Sequence, residues 1–277
     1  MLKLNGNSIK KTAAWAFVVL MLLAVYMPIL LLIVYSFIST RAGSFEGFTL
    51  SAYAEMFEDD ELMAAVLNTF ILAVGASLIA TLLGTFTAIG MFNMRKRGRQ
   101  AMGAANQITV VNADIVTAVA FSLLFITLMK VGLFIPEGWP TLMTAHVIIT
   151  TPYVILTVLP RLRQLNPNVY EAALDLGAGP WKATTRVLMP QLTGAMIGGF
   201  ALSFTLSLDD FVITKYTNGE TVGTISTLLY ERLTKGGISP SFRALSSIMF
   251  VVILAVLLAV NIRAARRKDK VKGKKFG

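Results

Sequence analysis

The sequence has no cysteine and a single histidine, His146, among its 277 residues. The missing cysteines exclude a disulfide framework and a thiolate metal site, and one histidine alone does not favour a zinc site. The chain also lacks the Gly-x4-Gly-Lys-Ser/Thr loop that binds nucleotide phosphates, so we expect no ATP site in it. Charged residues make up only 14% of the chain and hydrophobic residues 55%. This composition indicates a membrane protein rather than a soluble domain.

Long apolar runs predict an all-α membrane protein with six transmembrane helices in a single domain, residues 1–277. About 20 apolar residues in a helix cross a hydrocarbon core about 30 Å thick. The predicted spans are residues 13–38, 67–92, 105–129, 142–159, 192–213 and 245–262. The first run is too long for the core of a signal peptide, so we interpret it as a retained span. Glycines within the spans, among them Gly84, Gly194 and Gly198, are expected at helix contacts.

Basic residues cluster beside the apolar runs, which is a pattern of membrane topology. The N-terminus, the loop between spans two and three, the loop between spans four and five, and the tail are all basic. With six crossings these four segments share one face, and the positive-inside rule makes that face cytoplasmic. Both termini are therefore expected in the cytoplasm and the acidic residues 39–66 outside. We attribute the net charge of +10 to this topology and to anionic lipid, not to nucleic acid.

A segment of mixed polarity, residues 166–190, separates the fourth and fifth runs. Asn166 and Pro167 form a typical helix start. Gly177 is expected to end this helix in the left-handed conformation. A second helix is expected to begin at Pro180 and to end at Pro190, because proline breaks a helix interior. The sequence therefore predicts a helix, a tight turn and a helix on the cytoplasmic side, with a passive connector lying on lipid as the alternative.

This segment resembles the EAA loop of type I ABC importer permeases, the binding-protein-dependent inner-membrane permeases. The residues expected to carry ATPase coupling are Glu171, Ala172, Ala173, Asp175, Gly177, Leu188 and Pro190. Met189 departs from the usual leucine before the proline. The resemblance implies a type I ABC importer permease fold whose loop is a coupling helix that docks on a cytoplasmic ATPase. ATP and Mg would be bound by that partner, so this chain is expected to be a non-catalytic subunit without a cofactor.

Three acidic residues lie within apolar runs: Asp114, Asp209 and Asp210. A carboxylate at the bilayer centre costs about 2.5–3.5 kcal/mol, so such a group should face a partner or a water-filled cavity. Counting along continuous helices places Asp114 near the midplane and the other two nearer the outer side. With no lysine or arginine at comparable depth, the three acids predict a negative pathway that favours a cation.

Each acid also has a structural interpretation. Asp114 could cap a kinked helix or pair with Asn112 or Thr117, and the adjacent pair could cap a helix break or bind Lys215. Adjacent residues diverge by about 100° on a helix, so at most one of the pair is expected to face the pore directly. His146 is expected to hydrogen-bond across helices, with a ligand role as the alternative. The charges of Lys130, Glu231 and Arg232 are interpreted as solvated.

Further stretches are similar to polyamine (spermidine/putrescine) permeases, and the similarity covers nearly the whole chain. They are residues 207–213, 114–117 and 145–154. The resemblance implies half of a translocation pathway for a polyamine-like cation, with Asp114 as the first candidate contact; Ala113 stands where such permeases have proline. The implied partners are a second homologous permease, two cytoplasmic ABC ATPases, an extracytoplasmic polyamine-binding protein and the lipid bilayer. The implied location is the bacterial cytoplasmic (inner) membrane.

Three other functions stay open from the sequence. The same permease class could carry another solute, such as iron(III) or a phosphonate, although a negative pathway argues against anions. A secondary transporter could be driven by protons through Asp114 and Asp209, but an internal repeat, usual in that class, is not visible here. A structural membrane protein would leave the intramembrane acids without a pathway to line.

Overall fold

The computed structural model describes residues 6–41, 44–132, 136–166, 168–219, 221–237 and 239–273. Helices dominate these ranges. In chain order they are α1 (Gly6–Ser36), α2 (Ser51–Glu58), α3 (Asp60–Asn93), α4 (Lys96–Val111), α5 (Asp114–Lys130), α6 (Trp139–Gln164), α7 (Asn168–Asp175), α8 (Pro180–Ala183), α9 (Met189–Asp209), α10 (Val212–Thr217), α11 (Ile225–Lys235) and α12 (Pro240–Gly273). A π-helical turn, Thr184–Leu188, joins α8 to α9. The expected all-α class is confirmed apart from one hairpin.

The hairpin consists of two short antiparallel strands, β1 (Ile38–Arg41) and β2 (Ser44–Phe48). Ile38 pairs with Phe48, and the register shifts between Ile38 and Thr40. The polar composition of this stretch predicts only a loop. Its strand signal is weak because the strands are only four and five residues long and the second contains Gly47, a residue type that is depleted in strands.

The chain divides into two compact units. One comprises Met1–Met63 and Arg232–Gly277, and the other comprises Ala64–Glu231. In the first, α12 packs against α1 and α2. In the second, α6 packs against α9, and α10 lies against both α5 and α6. All the predicted site residues belong to the second unit.

Within the described ranges, four helices are long and apolar enough to cross a membrane: Ala14–Ser36, Asp60–Asn93, Trp139–Gln164 and Pro180–Asp209. The α4–α5 pair passes the same test only as a bent pair, and α12 contributes a shorter apolar stretch, Pro240–Ala255. The predicted apolar runs thus lie on helices, whereas the six-span topology stays a prediction.

The third predicted span, residues 105–129, is wrong as one continuous helix. α4 ends at Val111, α5 begins at Asp114, and the two helices differ in direction by 105°. Asn112 has an extended backbone, and its amide donates to the Thr117 hydroxyl across the break at 2.8 Å. Short polar side chains of this kind compete with helical hydrogen bonding. The depth of Asp114 counted along a straight helix is therefore not that of the structure.

The fifth predicted span, residues 192–213, also differs from the structure. Its helix ends at Asp209, the backbone of Asp210 is extended, and α10 starts anew at Val212. The Asp210 carboxylate accepts the backbone N–H of Thr214 at 2.8 Å and so caps the new helix. The alternative that this acid caps a helix break is confirmed.

Glycines allow α6 to lie close to two neighbouring helices. A Cβ at Gly84 of α3 would stand 2.7 Å from Val154 Cβ, and a Cβ at Gly199 of α9 would stand 2.7 Å from the Thr157 hydroxyl. Val154 is fully buried between them. The expectation of helix contacts is confirmed at Gly84. The expectation is wrong within this chain for the glycines at positions 194 and 198. No neighbouring heavy atom of the described residues lies within 4 Å of a Cβ placed at either glycine.

Gly84→Val should lower the melting temperature of the purified protein in detergent by several degrees. The added side chain must displace Val154, and overpacking a core costs about 1–3 kcal/mol. Gly90→Val is the matched control, because it lies on the same helix with nothing within 4 Å of its Cβ position. Equal melting temperatures for the two variants would contradict the close α3–α6 contact.

Arg232 is not a solvated charge, contrary to the expectation. Its guanidinium donates to both carboxylate oxygens of Asp59, one at 2.9 Å, and to Glu61 at 2.9 Å. It also lies over the ring of Phe242, 5.3 Å from the centroid. Asp59 in turn caps the start of α3 by accepting the Leu62 N–H at 3.0 Å. The ion pair thus joins the beginning of α3 to the end of α11 within the first unit.

This ion pair predicts an acid-sensitive stability. The hydrogen bonds from Arg232 hold the pKa of Asp59 below its ordinary value, against an opposing effect of burial. A carboxyl with a lowered folded pKa stabilises the fold above about pH 4, and this stability is lost as the pH falls through the folded value. Thermal melts of the wild type from pH 6 to pH 3 should therefore show a decline at the acid end. Asp59→Asn should make that decline shallower, and an unchanged acid limb would contradict the role of the pair.

Candidate functional site

The three acids predicted for the pathway lie around one cavity of about 370 Å³. Its wall comprises Thr109, Asp114, Thr117, Ile149, Thr150, Tyr153, Leu206, Asp209, Asp210, Phe211, Val212 and Ile213. None of these described lining residues is basic. The structure therefore brings together acids that are almost one hundred residues apart in sequence.

Two helix breaks produce this arrangement. Asp114 occupies the first turn of α5, directly after the bend from α4. Asp209 is the last residue of α9, and Asp210 lies in the gap before α10. Because α10 packs against both α5 and α6, the two breaks face the same space. The acids thus lie where continuous helices end, not on the side of uninterrupted helices.

The adjacent acids have different environments. Asp210 is half-buried, and its carboxylate accepts the Thr214 N–H at 2.8 Å and the Thr214 hydroxyl at 2.9 Å. Asp209 and Asp114 are exposed. In the part of the chain that the structure describes, neither of these two forms an ion pair with lysine or arginine, so the expected alternative of a Lys215 partner is not realised. Asp209 and Asp114 are therefore available to a cation in the cavity.

His146 lies behind this cavity and is fully buried. Its Nδ1 is 2.8 Å from the Ser207 hydroxyl, and its Nε2 is 3.0 Å from the Thr214 hydroxyl. Nε2 also lies 3.6 Å from the Asp210 carboxylate. The expectation that this histidine hydrogen-bonds across helices is confirmed, since its partners lie on α9 and α10.

Several residues of the wall were not predicted from the sequence. Tyr153 is half-buried on α6, and the hydroxyls of Thr109, Thr117 and Thr150 come from α4, α5 and α6. Threonines in apolar helices usually satisfy their hydroxyls on the preceding turn, as Thr150 does on the His146 carbonyl at 2.7 Å. The presence of threonine in these helices therefore does not indicate that its hydroxyl lines a cavity. The tyrosine beside Pro152 in an apolar run was the one available hint.

The wall suits an elongated organic cation better than an anion. Carboxylates supply charge-assisted acceptors for ammonium groups. The rings of Tyr153 and Phe211 provide faces that attract cations and pack against methylene groups. Hydroxyls can accept further N–H donors. An anion would meet three acids and no basic side chain among the lining residues.

The predicted helix–turn–helix is present in the segment of residues 166–190. The Asn166 side chain accepts the Asn168 N–H at 3.0 Å, which confirms a cap at the start of α7; Pro167 lies outside the described residues. At its other end, Gly177 has φ +83°. The Gly177 N–H bonds to the Leu174 carbonyl and the Ala178 N–H to the Ala173 carbonyl. These two bonds define a Schellman motif, so the predicted glycine terminus is confirmed.

Pro190 does not end the second helix, contrary to the expectation. The chain continues as one helix from Pro180 to Asp209. The π-helical turn precedes the proline, and the Met189 N–H bonds to the Thr184 carbonyl five residues back. This change of hydrogen-bond register lets α9 begin at Met189 with Pro190 in its first turn, where a missing N–H is tolerated.

Of the remaining coupling candidates, Glu171, Ala172, Ala173 and Asp175 lie on α7, and Leu188 lies in the π-helical turn. Glu171 and Leu188 line a small cavity of about 140 Å³ beside the ends of α3 and α6. Leu188 also packs against the buried cluster around Val158. No residue of α7 is buried, and Leu176 is 89% exposed. Trp181 is 68% exposed although its ring stacks on Phe86 at 5.9 Å. The segment thus has one packed side and one exposed apolar side, and the sequence alone does not indicate the exposed side.

Comparison with known proteins gives a consistent family. Residues 80–268 match the family described as binding-protein-dependent transport system inner membrane component. The chain is 33% identical over 249 residues to the spermidine/putrescine transport system permease protein PotC of Escherichia coli (strain K12), covering 90% of this chain and 91% of that protein. It is 33% identical over 265 residues to the putrescine transport system permease protein PotI of the same strain, covering 93% and 94%.

Solved structures agree on the fold. A bacterial ABC transporter involved in the import of the acidic polysaccharide alginate matches with a TM-score of 0.70 at 18% identity, covering 94% of this chain and 95% of that one. A second structure, the alginate ABC transporter in complex with its alginate pentasaccharide-bound periplasmic protein, matches with a TM-score of 0.69 at 19% identity, covering 93% and 94%. With its several apolar helices and this sequence match, the chain belongs to the binding-protein-dependent family of multi-pass inner-membrane transport components.

Proposed function

We propose that this chain is a permease subunit of an ATP-binding-cassette importer and forms half of the pathway for a polyamine such as spermidine or putrescine. The observation that supports a cationic substrate is the cavity lined by Asp114, Asp209 and Asp210, which has no basic residue among its described lining residues. The names of the relatives PotC and PotI support the same class of solute.

In this proposal, the exposed carboxylates Asp114 and Asp209 bind the ammonium groups of the amine. The rings of Tyr153 and Phe211 lie against the methylene chain between those groups. The threonine hydroxyls of the wall replace part of the water that the amine loses. Because neither exposed acid forms an ion pair with a lysine or arginine among the described residues, the amine does not have to break an ion pair on entering. The same property lets the amine leave when the cavity opens to the other side.

The segment of residues 166–190 is proposed to be the coupling element. It would lie in the cytoplasm, in a topology of six spans with both termini on the cytoplasmic side. Its exposed apolar residues, Leu176 and Trp181, would dock in a groove of an ABC ATPase. Glu171 would lie at the small cavity beside the ends of α3 and α6. The complex would contain this chain, a second homologous permease, two ATPases and an extracytoplasmic polyamine-binding protein. ATP and Mg would be bound by the ATPases alone.

Transport then follows from differential binding. Nucleotide stabilises the closed arrangement of the ATPase pair, and the docked coupling elements convey that arrangement to the pathway. This chain contributes no bond-breaking step. Its residues bind the cation, exclude anions and transmit the motion.

Purified importer in proteoliposomes tests this function. ATP enclosed with the ATPases should drive uptake of labelled spermidine supplied with the binding protein. Excess putrescine should compete, whereas an organic phosphonate should not. Uptake without ATP, or competition by the phosphonate alone, would refute the proposal.

A further inference from the structure

A chain of hydrogen bonds leads from the interior of the helix bundle to the acidic cavity. It connects Ser207, His146, Thr214 and Asp210 through contacts of 2.8, 3.0 and 2.9 Å. Its first three members are at most 2% exposed. Its last member is a carboxylate on the wall of the cavity. The chain therefore connects a buried histidine to the proposed binding site.

The number of protons on each group fixes which atom donates and which accepts along this chain of hydrogen bonds. A hydroxyl has one proton to donate. The Thr214 hydroxyl donates that proton to the Asp210 carboxylate, so it must accept from His146 Nε2. Nε2 then carries the proton of the neutral ring, and Nδ1 accepts the hydroxyl proton of Ser207. Every donor points toward Asp210, and successive bonds of this kind strengthen one another.

The same histidine spans the helix break. Ser207 lies near the end of α9, and Thr214 lies in α10. One buried ring on α6 thus fixes the segments on both sides of Asp209 and Asp210. The carboxylate of Asp210 accepts two hydrogen bonds from Thr214, and its side chain is 11% exposed. Asp209, in contrast, is exposed. The two acids are therefore not equivalent.

We propose that His146 is a positioning residue for the cation site: it holds Asp210 as the anchor of the helix break, and this leaves Asp209 as the member of the adjacent pair that binds the cation. The role of Asp209 rests on the proposed function, whereas the role of His146 in fixing the break does not. Asn and Gln substitutions separate this role from simple filling of buried space. The amide nitrogen of glutamine reaches the place of Nε2, so His146→Gln keeps a donor for Thr214. The shorter asparagine reaches only the place of Nδ1, so His146→Asn keeps the Ser207 contact and loses the Thr214 contact.

Spermidine uptake by the reconstituted importer is the first measurement. His146→Asn should raise the KM about tenfold, the effect of losing one hydrogen bond in a chain to a charged group, with Vmax nearly unchanged. His146→Gln should keep the KM within about twofold of the wild type. Equal KM values for the two variants would overturn the proposal, because a residue that only fills space does not distinguish them.

A double substitution tests the chain itself. Thr214→Val keeps the shape of the side chain and removes the bond between His146 and Asp210. Combined with His146→Asn, it should add little to the effect of either change, because both interrupt the same chain. Fully additive effects on KM would overturn the proposed path.

The rate of thiol modification at the start of α10 reports the geometry of the helix break, whichever substrate the importer carries. The native chain has no cysteine, so Val212→Cys introduces a single thiol at the start of α10, on the wall of the cavity. Its reaction with 2-aminoethyl methanethiosulfonate, a thiol-reactive cation, is followed by the mass of this chain in the purified complex. His146→Asn should accelerate the reaction several-fold, and His146→Gln should not. If the importer does not carry spermidine, the substrate proposal fails while an accelerated reaction still supports the role of His146. A rate unchanged by His146→Asn overturns that role.

Discussion

Asp209→Asn is expected to raise the KM for spermidine uptake by about five- to seventyfold, and Asp114→Asn to do the same. A carboxylate 4 Å from an ammonium group contributes about 1 kcal/mol in water and about 4 kcal/mol at an effective dielectric constant of 20. Both acids are exposed, so solvent screening places the effect toward the lower half of that range. Each 1.4 kcal/mol corresponds to a factor of about ten.

The measurement is ATP-driven uptake of labelled spermidine in proteoliposomes over a range of concentrations. Asp209→Glu is the control that retains charge, and it should recover most of the affinity. The double variant Asp114→Asn with Asp209→Asn should have a higher KM than either single variant, because spermidine carries more than one ammonium group and each acid can bind a different one. Wild-type KM values in both single variants would show that these acids are structural and would leave the cavity without a role in recognition.

Gly177→Val is expected to abolish most transport while the ATPases continue to hydrolyse ATP. Gly177 has φ +83°, where a residue with a side chain is strained by roughly 1–2 kcal/mol. Apart from its chain neighbours, no described residue has a heavy atom within 4 Å of its Cβ position, so the cost comes from the backbone and not from a collision. Relief of that strain would open the Schellman motif and misdirect α8 relative to α7. Uptake should fall by about five- to thirtyfold, with binding of the receptor unchanged.

Two controls separate the left-handed turn from side-chain bulk. Gly177→Asn should retain transport, because asparagine tolerates this conformation. Gly179→Val places the same side chain in the same turn at a residue with φ −64° and open space around it, and it should also retain transport. Glu171→Ala should uncouple hydrolysis from uptake, because it removes the carboxylate that lines the small cavity beside the ends of α3 and α6. Tight coupling in both Gly177→Val and Glu171→Ala would remove the coupling role of this segment.

The sequence was most informative where composition and backbone chemistry act locally. Apolar length predicted the helices, and the asparagine and glycine signals predicted both ends of α7 correctly. The acids were recognised because a carboxylate in an apolar run is costly whatever the fold. Their grouping in one cavity supports the interpretation that they serve a common purpose.

The errors arose where tertiary contacts decide between local alternatives. The bend at Asn112 and the break at Asp210 depend on the partners Thr117 and Thr214, which periodicity does not reveal. Pro190 was expected to end a helix, but a shift of hydrogen-bond register accommodates it. The pairing of Arg232 with Asp59 joins residues 173 positions apart and has no local signal. The threonines of the cavity are ordinary helix residues until the fold places them together.

The uninterrupted helix from Pro180 to Asp209 has a mechanical consequence. Its 30 residues at 1.5 Å each give a length of about 45 Å. A twist or axial displacement imposed on its first turn can reach the carboxylate at its last residue along one helical stretch, with no loop between them to absorb it. The π-helical turn is the place along this length where the pitch can change by a shift of hydrogen-bond register. In the proposed mechanism, the displacement of Asp209 therefore depends on whether residues 184–188 keep or lose the π-helical register.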